Sequence, residues 1–182
     1  MRVIAGTARS LPLKAPKGMD TRPTTDRIKE TLFNVIQQEL FSCVFVDLFS
    51  GSGAIGIEAL SRGAGKACFV EQSREAISCI EQNLAFTKFT ERAIVMKQDV
   101  RSALCSLPVE KADIIFMDPP YGNELEKDVL NLLRTASYVS DSTIIIVEAD
   151  LKTDFSYLEE YGYQIVKTKD YKTNRHLFLR RV

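Results

Sequence analysis

The sequence predicts an α/β fold: a mostly parallel, seven-stranded sheet with helices on both faces and an antiparallel hairpin at its C-terminal end. Along most of the 182 residues, short β-rich runs alternate with helical patterns, which gives a parallel sheet covered by helices. A glycine-rich loop at residues 47–56 connects a predicted strand to a predicted helix. The last two strand-like runs lie too close together for a parallel crossover, so they are expected to form a hairpin.

The chain is expected to be one α/β domain, residues 26–182, preceded by a basic arm or hairpin extension, residues 1–25. Pro12, Pro16 and Pro23 interrupt any helical run in the arm, because proline lacks a backbone N–H and clashes with the preceding turn. From Asp26 to Leu40 apolar residues recur at steps of three and four, the spacing of one apolar stripe on a helix. A helix is therefore predicted to open the domain.

The remaining elements follow from apolar runs and periodic patterns. The predicted strands are residues 43–49, 67–71, 94–99, 112–118, 143–148, 163–169 and 176–181. The predicted helices that separate them are residues 54–62, 73–87, 101–107 and 124–137.

Composition excludes several classes of protein. Hydrophobic residues make up 45% and charged residues 26% of the chain, the balance of a folded globular protein. No apolar run approaches the ~18 residues of a spanning helix, and the start lacks a signal peptide's apolar stretch. Four cysteines stand singly beside one histidine, so neither a zinc site nor a disulfide framework is indicated. We expect a cytoplasmic protein with reduced thiols and no metal.

The net charge of zero conceals a basic–acidic–basic distribution. Residues 1–29 and residues 164–182 each carry a net charge of +5, whereas residues 30–163 carry −10. Basic segments around an acidic centre are compatible with a nucleic-acid footprint around a catalytic core, or with solubility alone. The RNA-binding candidates in these segments are Arg9, Lys14, Lys17, Arg22, Lys172 and Arg175.

The glycine loop is the first candidate site. Gly51, Gly53 and Gly56 match the spacing of a dinucleotide fingerprint, and Glu71 lies where a ribose-binding acid belongs. One interpretation is that the loop binds a nicotinamide dinucleotide. However, Asp47 would stand at the mouth of the site, where a carboxylate repels a pyrophosphate but attracts an ammonium or a sulfonium.

Acidic residues are predicted to follow or end four neighbouring strands: Asp47, Glu71, Asp99 and Asp118. The carboxyl ends of parallel strands form the edge at which α/β sheets bind ligands. Four acids at that edge suit a cationic ligand rich in hydrogen-bond donors. S-adenosylmethionine, which carries an ammonium, a sulfonium, a ribose diol and an adenine amine, fits this requirement.

The second candidate site is the sequence Asp118-Pro119-Pro120-Tyr121 after an apolar run. The prolines fix an extended backbone and remove two donors, so their carbonyls face a ligand as acceptors. The Asp118 carboxylate and the Pro119 carbonyl could hold the two protons of an exocyclic amine and aim its lone pair at a methyl group. Tyr121 would offer a face on which an extruded base can stack.

Taken together, the glycine loop and D-P-P-Y resemble class I methyltransferases, which have a Rossmann-like fold and modify exocyclic or amide nitrogens with S-adenosylmethionine. The run M-R-V-I-A-G-T-A-R-S-L-P-L-K-A-P…R-P-T-T-D-R-I-K-E-T-L-F-N-V-I resembles the RsmD family. The resemblance extends over residues 1–181 and implies methylation of a guanine 2-amino group in bacterial 16S ribosomal RNA. The segment Ser10-Leu11-Pro12 and the glycine-free hairpin at residues 170–176 depart from the family pattern.

The resemblance also implies roles for individual residues. The cofactor-binding residues would be Asp47, Phe49, Gly51, Gly53, Glu71, Gln72, Asp99 and Val100. The target base would be held by the catalytic residues Asp118, Pro119, Pro120 and Tyr121. Arg22 would lie near the mouth of the site, and Glu148 could support the residues that contact the ligands. His176 lies in a basic strand and is expected to face RNA or solvent.

Other functions remain open at this point. A DNA or other RNA amino-methyltransferase, acting on adenine N6 or cytosine N4, would share D-P-P-Y. The DNA enzymes usually carry a separate target-recognition region, for which this chain has no room. A nicotinamide oxidoreductase would leave D-P-P-Y unused, and an RNA-binding module would leave the four acids unused. The expected partner is ribosomal RNA, free or within a small subunit. We expect a monomer with no membrane association.

Overall fold

The computed structural model describes residues 1–16, 26–122 and 124–182. Its seven strands form one sheet in the order β3-β2-β1-β4-β5-β7-β6. The strands are β1 Val44–Leu48, β2 Lys66–Glu71, β3 Ala93–Lys97, β4 Ile114–Met117, β5 Ile144–Asp150, β6 Tyr163–Asp170 and β7 Asn174–Arg181. The first five are parallel, and β7 runs antiparallel between β5 and β6. The predicted fold class is confirmed.

Among the described residues, five α-helices cover the sheet: α1 Asp26–Val35, α2 Ala54–Ser61, α3 Arg74–Thr87, α4 Val100–Cys105 and α5 Leu125–Leu133. Helices α1, α2 and α3 pack with one set of alternate strand residues, among them Phe45, Phe116 and Phe178. Helices α4 and α5 pack with the other set. Because side chains alternate along a strand, the sheet supports a core on each face. None of the described helices is long and apolar enough to cross a membrane.

Two predicted helices end early. The helix expected up to Leu40 ends at Val35 and is followed by a short 3₁₀ turn, Gln37–Glu39. The helix expected up to residue 137 ends at Leu133. After this helix, two hydrogen bonds hold Tyr138 in place: its carbonyl accepts from the Ala112 amide, and its hydroxyl donates to the Leu104 carbonyl. These bonds redirect the chain.

Residues 1–16 fold back on themselves and pack on the sheet face covered by α2 and α3. Val3 bonds with Leu11 and Ser10 through the backbone, and Val3, Ala8 and Leu13 are buried in the same core as α2. The boundary proposed at residue 25 stays a prediction, because residues 17–25 lie outside the described part.

A buried ionic cluster fixes the arm. Glu58 on α2 is fully buried and accepts from the backbone amides of Ile4 and Ala5, at 2.8 and 3.0 Å. It also contacts Lys29 Nζ at 3.2 Å and Arg62 Nε at 2.7 Å. Burial lowers the pKa of Lys29, against the opposing effect of Glu58. Such a cluster costs desolvation, so its clearest contribution is to orientation. No sequence pattern indicated it.

Candidate active site

The candidate site lies where the strand order reverses. β1 pairs with β2 on one side and with β4 on the other, so the loops after β1 and β4 diverge from each other and leave a crevice between them. A cavity of about 970 Å³ opens there. Eleven of the twelve predicted cofactor-binding and catalytic residues line it; the exception, Gly53, lies buried at the start of α2. Two motifs separated by about 65 residues therefore form one site.

The loop between β1 and α2 has an unusual backbone. Phe49, Gly51 and Gly53 all have positive φ, at 59°, 55° and 77°. Gly51 and Gly53 adopt this conformation without the steric cost that a Cβ carries, whereas Phe49 does so at a cost. Gly56 serves packing, since a Cβ there would stand 2.3 Å from the Phe69 ring. The loop curls tightly around the crevice as a result.

Asp47 is not the open carboxylate that the sequence suggested. It is 1% exposed, and its Oδ2 accepts a hydrogen bond from the Gly56 amide at 2.9 Å. Burial raises the pKa of Asp47 well above its usual range, the Gly56 bond opposes this, and the charges of Glu71 and Asp118 add to it. Asp47 thus joins the end of β1 to the first turn of α2, and it also lines the cavity.

Glu71 at the end of β2 is the second anchor of the glycine loop. Its Oε2 accepts from the Gly51 amide at 2.8 Å, and its Oε1 accepts from the amides of Gln72 and Ser73 at 2.9 and 2.8 Å. A carboxylate offers about four lone-pair positions, so these three bonds leave one for a ligand hydroxyl. Gln72 beside it is exposed at the cavity rim.

Asp99 caps helix α4. The third strand ends at Lys97, two residues earlier than the predicted strand, and Asp99 Oδ1 accepts from the Arg101 amide at 2.9 Å. Its neighbour Val100 is buried and forms part of the cavity wall. An acid held at this rim, next to an apolar wall, suits an amino-bearing aromatic ring.

The D-P-P-Y segment faces these anchors from the far side of the crevice. Asp118 follows β4 directly, and no hydrogen bond among the described residues reaches its carboxylate. Burial, reinforced by the charge of Glu148, raises the pKa of Asp118 to about 8. Pro119 is buried, and Tyr121 is 49% exposed at the cavity mouth. The segment presents one carboxyl and one aromatic face to a ligand that enters the cavity.

The predicted RNA-binding residues occupy separate places. Arg9 and Lys14 are exposed on the arm, where the Lys14 ammonium donates to Gln82 on α3. Lys172 is exposed at the hairpin and lines the cavity. Arg175 is paired with Asp170 at 3.1 Å. The other two candidates, Lys17 and Arg22, lie outside the described residues.

The expectation for His176 was wrong. It is fully buried, and its Nε2 lies 2.9 Å from Glu148 Oε2. Glu148, Tyr171 and Asn174 all line the cavity beside Asp118. Sequence reasoning named Glu148 as a supporting residue but missed its partners, because strand pairing places β7 next to β5, and the sequence did not supply that register.

Comparison with known proteins gives consistent matches over nearly the whole chain. A family model described as Conserved hypothetical protein 95 matches residues 1–180. Ribosomal RNA small subunit methyltransferase D of Escherichia coli K12 is 36% identical over 152 residues, covering 84% of this chain and 76% of that protein. YlbH of Bacillus subtilis is 37% identical over 156 residues, covering 85% of each.

Solved structures agree with the sequence relatives. The yhhF protein of Escherichia coli superposes with a TM-score of 0.88 at 31% identity, covering 100% of this chain and 97% of that one. A ribosomal protein L11 methylase from Lactobacillus delbrueckii, at 20% identity and a TM-score of 0.67, shares the fold alone. The fold is that of the Rossmann-like methyltransferases.

Proposed function

The chain belongs to the RsmD family of methyltransferases, and from this premise we propose that it transfers a methyl group from S-adenosylmethionine to the exocyclic 2-amino group of a guanine in small-subunit ribosomal RNA. One observation carries the proposal. The D-P-P-Y segment after β4 and the carboxylate-anchored glycine loop after β1 line the same 970 Å³ cavity. A methyl donor and an amine acceptor can therefore meet across it.

The residues present fit S-adenosylmethionine. The open side of Gly51, where an added Cβ would contact nothing within 4 Å, leaves room for the methionine part beside the loop. Glu71 retains a lone pair for a ribose hydroxyl, and Asp99 at the apolar wall of Val100 suits the adenine amine. When bound, this cofactor supplies an electrophilic methyl group on a positively charged sulfur.

The remaining chemistry belongs to the protein. The Asp118 carboxylate and the Pro119 carbonyl accept the two N–H hydrogens of the target amine and direct its lone pair at the methyl carbon. With the cofactor bound, the N–C bond would form as the C–S bond breaks, with its electron pair going to sulfur, and the amine would then lose one proton. Tyr121 stacks on the base, which is worth ~1–3 kcal/mol in comparable sites. Holding the reactants in line removes much of the entropic barrier.

The substrate assignment is supported by the relatives named ribosomal RNA small subunit methyltransferase D, at 36% and 35% identity. In the proposed complex, Arg9, Lys14, Lys17, Arg22, Lys172 and Arg175 contact RNA phosphates. The proposal includes action as a monomer on free ribosomal RNA or on a small subunit.

The test is methylation of 16S RNA with radiolabelled S-adenosylmethionine, followed by mass spectrometry of the nucleosides. Deproteinised RNA and assembled small subunits from cells lacking this gene are the two substrates, and Asp118→Ala is the matched inactive protein. N2-methylguanosine is the expected product. N6-methyladenosine or N4-methylcytidine would replace the proposal with the related amino-methyltransferase reaction.

Cofactor choice is tested separately by thermal melting. S-adenosylhomocysteine at 100 times its Kd should stabilise the protein by ~2.7 kcal/mol, whereas NAD should not. Stabilisation by NAD alone would overturn the cofactor assignment.

A further inference from the structure

A row of polar side chains crosses three strands at the edge of the cavity. Val147 of β5 pairs with Met117 of β4, so the next residues, Glu148 and Asp118, stand side by side. On the other side of β5, Glu148 pairs with His176 of β7. Paired residues share a face of the sheet. The row therefore runs from the amine-holding segment into the C-terminal hairpin.

Glu148 is held rigidly in this row. Its side chain is 7% exposed, Oε2 accepts from His176 Nε2 at 2.9 Å, and Oε1 accepts from the Asn174 amide. His176 Nδ1 lies 3.3 Å from the Tyr171 hydroxyl. The network assigns the tautomer in which Nε2 carries the hydrogen and Nδ1 accepts from tyrosine. Both oxygens of a buried carboxylate are thus fixed by the hairpin.

Asp118 has the opposite surroundings. No described residue donates a hydrogen bond to it, and burial together with the charge of Glu148 raises its pKa. Burial and the same Glu148 charge raise the pKa of Tyr171 to about 12, so this hydroxyl stays protonated and can serve as a donor. The charge of Glu148, which the hairpin holds in place, therefore acts on Asp118, whose carboxyl no described residue binds.

The cavity brings further charged groups towards this pair. They are Asp47 on β1, Glu71 on β2, Lys29 on α1, Asp99 before α4, Asp150 on β5 and Lys172 in the hairpin. After burial, the largest influence on the pKa of Asp118 is the charge of Glu148, which stands next to it across the β4–β5 register. Asp47 on β1 also repels Asp118, since the charge of Asp118 raises the pKa of Asp47.

We propose that Glu148 is a positioning residue for methyl transfer: anchored by Asn174 and His176, its carboxylate acts on Asp118 from the adjacent strand and makes Asp118 the acceptor of the proton that the methylated amine releases. The proposal rests on the function proposed above. The N–H bond breaks with its electron pair left on nitrogen, the proton bonds to an Asp118 oxygen, and it passes to water after the product leaves. A neighbouring negative charge favours this step because it stabilises the protonated form of Asp118.

The direct test is a carboxyl ¹³C NMR titration of the protein without ligand, with Asp118→Asn to assign the resonance. In the wild type we expect the Asp118 midpoint near pH 8. Glu148→Gln keeps the shape of the side chain, including an oxygen for His176 or Asn174, but removes the charge, and should lower the midpoint by about one unit. Asn174→Ala, which frees one Glu148 oxygen, should lower it by less.

Glu110→Gln is the matched control, because it removes an exposed carboxylate that precedes β4 at the opposite end of the sheet. It should leave the Asp118 midpoint unchanged. A midpoint unmoved by both Glu148→Gln and Asn174→Ala, or moved equally by Glu110→Gln, would overturn the proposal. If Glu148→Gln fails to fold, the wild-type midpoint and the Asn174→Ala titration decide.

Turnover supplies the second readout. The acid limb of kcat against pH, which reports the ligand-bound enzyme, should move in the same direction as the titration, towards lower pH, in Glu148→Gln, while KM for RNA changes less than about twofold. A merely structural role would reduce the amount of active enzyme without moving the limb. If the wild type methylates no RNA but the titration shifts, the proposed function fails and the Glu148–Asp118 coupling stands. If the wild type methylates RNA but the Asp118 midpoint does not shift in the variants, the proposed function stands and the Glu148–Asp118 coupling fails.

Discussion

The two walls of the cavity are built in opposite ways. In the cofactor wall, which comprises residues 47–56 and Glu71, the carboxylates are occupied: Asp47 binds the Gly56 amide, and Glu71 binds three amides. In the acceptor wall, residues 118–121, the Asp118 carboxylate has no hydrogen-bonded partner among the described residues. The first wall is preorganised before any ligand arrives, whereas the second presents a carboxyl that no described residue binds and that a substrate amine can reach.

This contrast separates binding from chemistry. Occupied carboxylates contribute to affinity by fixing the loop and leaving a few lone pairs for the ligand. The Asp118 carboxyl, by contrast, keeps its oxygens available for the hydrogens of an amine that enters the cavity. Substitutions in the two walls should therefore affect different measurements.

The largest effect is expected in the acceptor wall. Asp118→Ala removes the group that holds the amine, and loss of one preorganised group of this kind reduces turnover by ~10²–10³-fold. Affinity for S-adenosylhomocysteine, measured by calorimetry, should change little. Retention of more than about a tenth of turnover would contradict the role given to Asp118.

The next effect is expected in the cofactor wall. Glu71→Ala releases the Gly51 amide and removes the acceptor for a ribose hydroxyl, and charge-assisted bonds contribute roughly 1.5–3 kcal/mol each. Cofactor affinity should fall by about 10–100-fold, with kcat at saturation reduced much less. Asp99→Ala should show a smaller loss in the same calorimetric measurement. Unchanged affinity in both variants would place the ligand elsewhere.

The pH dependence of stability gives a third way to compare the walls. Asp118 keeps its proton up to about pH 8 when folded, whereas an unfolded aspartate loses it near ~3.9. Between these values the unfolded chain binds fewer protons, so the free energy of unfolding should fall as pH rises. Thermal melts of the ligand-free protein at pH 5 and pH 8 measure this. Asp118→Asn should flatten the difference, and an identical slope in that variant would contradict the assignment.

The smallest effect is expected outside both walls. Replacing Arg9, Lys14 and Lys172 by alanine should weaken RNA binding and flatten its salt dependence by about 0.7–0.9 per lost phosphate contact on a log–log plot. Methyl transfer at saturating RNA should stay within a fewfold. Lys66→Ala with Lys111→Ala removes exposed charge from the opposite edge of the sheet and serves as the control. Equal salt slopes for the two variants would rule out an RNA footprint at these positions.

The sequence predicted all seven strands because the first five are largely apolar and β-branched runs, and the last two contain short apolar stretches between polar residues. Eleven of the twelve cofactor-binding and catalytic residues that it named line the cavity, since the carboxyl ends of parallel strands meet at one edge. It did not predict the burial of His176, because that burial follows from the position of β7 between β5 and β6, where His176 pairs with Glu148. Nor did it predict the bond from Asp47 to Gly56, which depends on how tightly the loop curls.

The docked arm has a consequence for how the chain folds. Ile4 bonds to Glu58, 54 positions away, and Lys14 bonds to Asn83, 69 positions away. Such distant contacts carry a loop-closure cost and form slowly. During synthesis, residues 1–16 are made first and cannot form these contacts until α2 and α3 have been made. We expect the arm, which includes cavity-lining Met1 and Pro16, to be protected from hydrogen exchange later than helix α3.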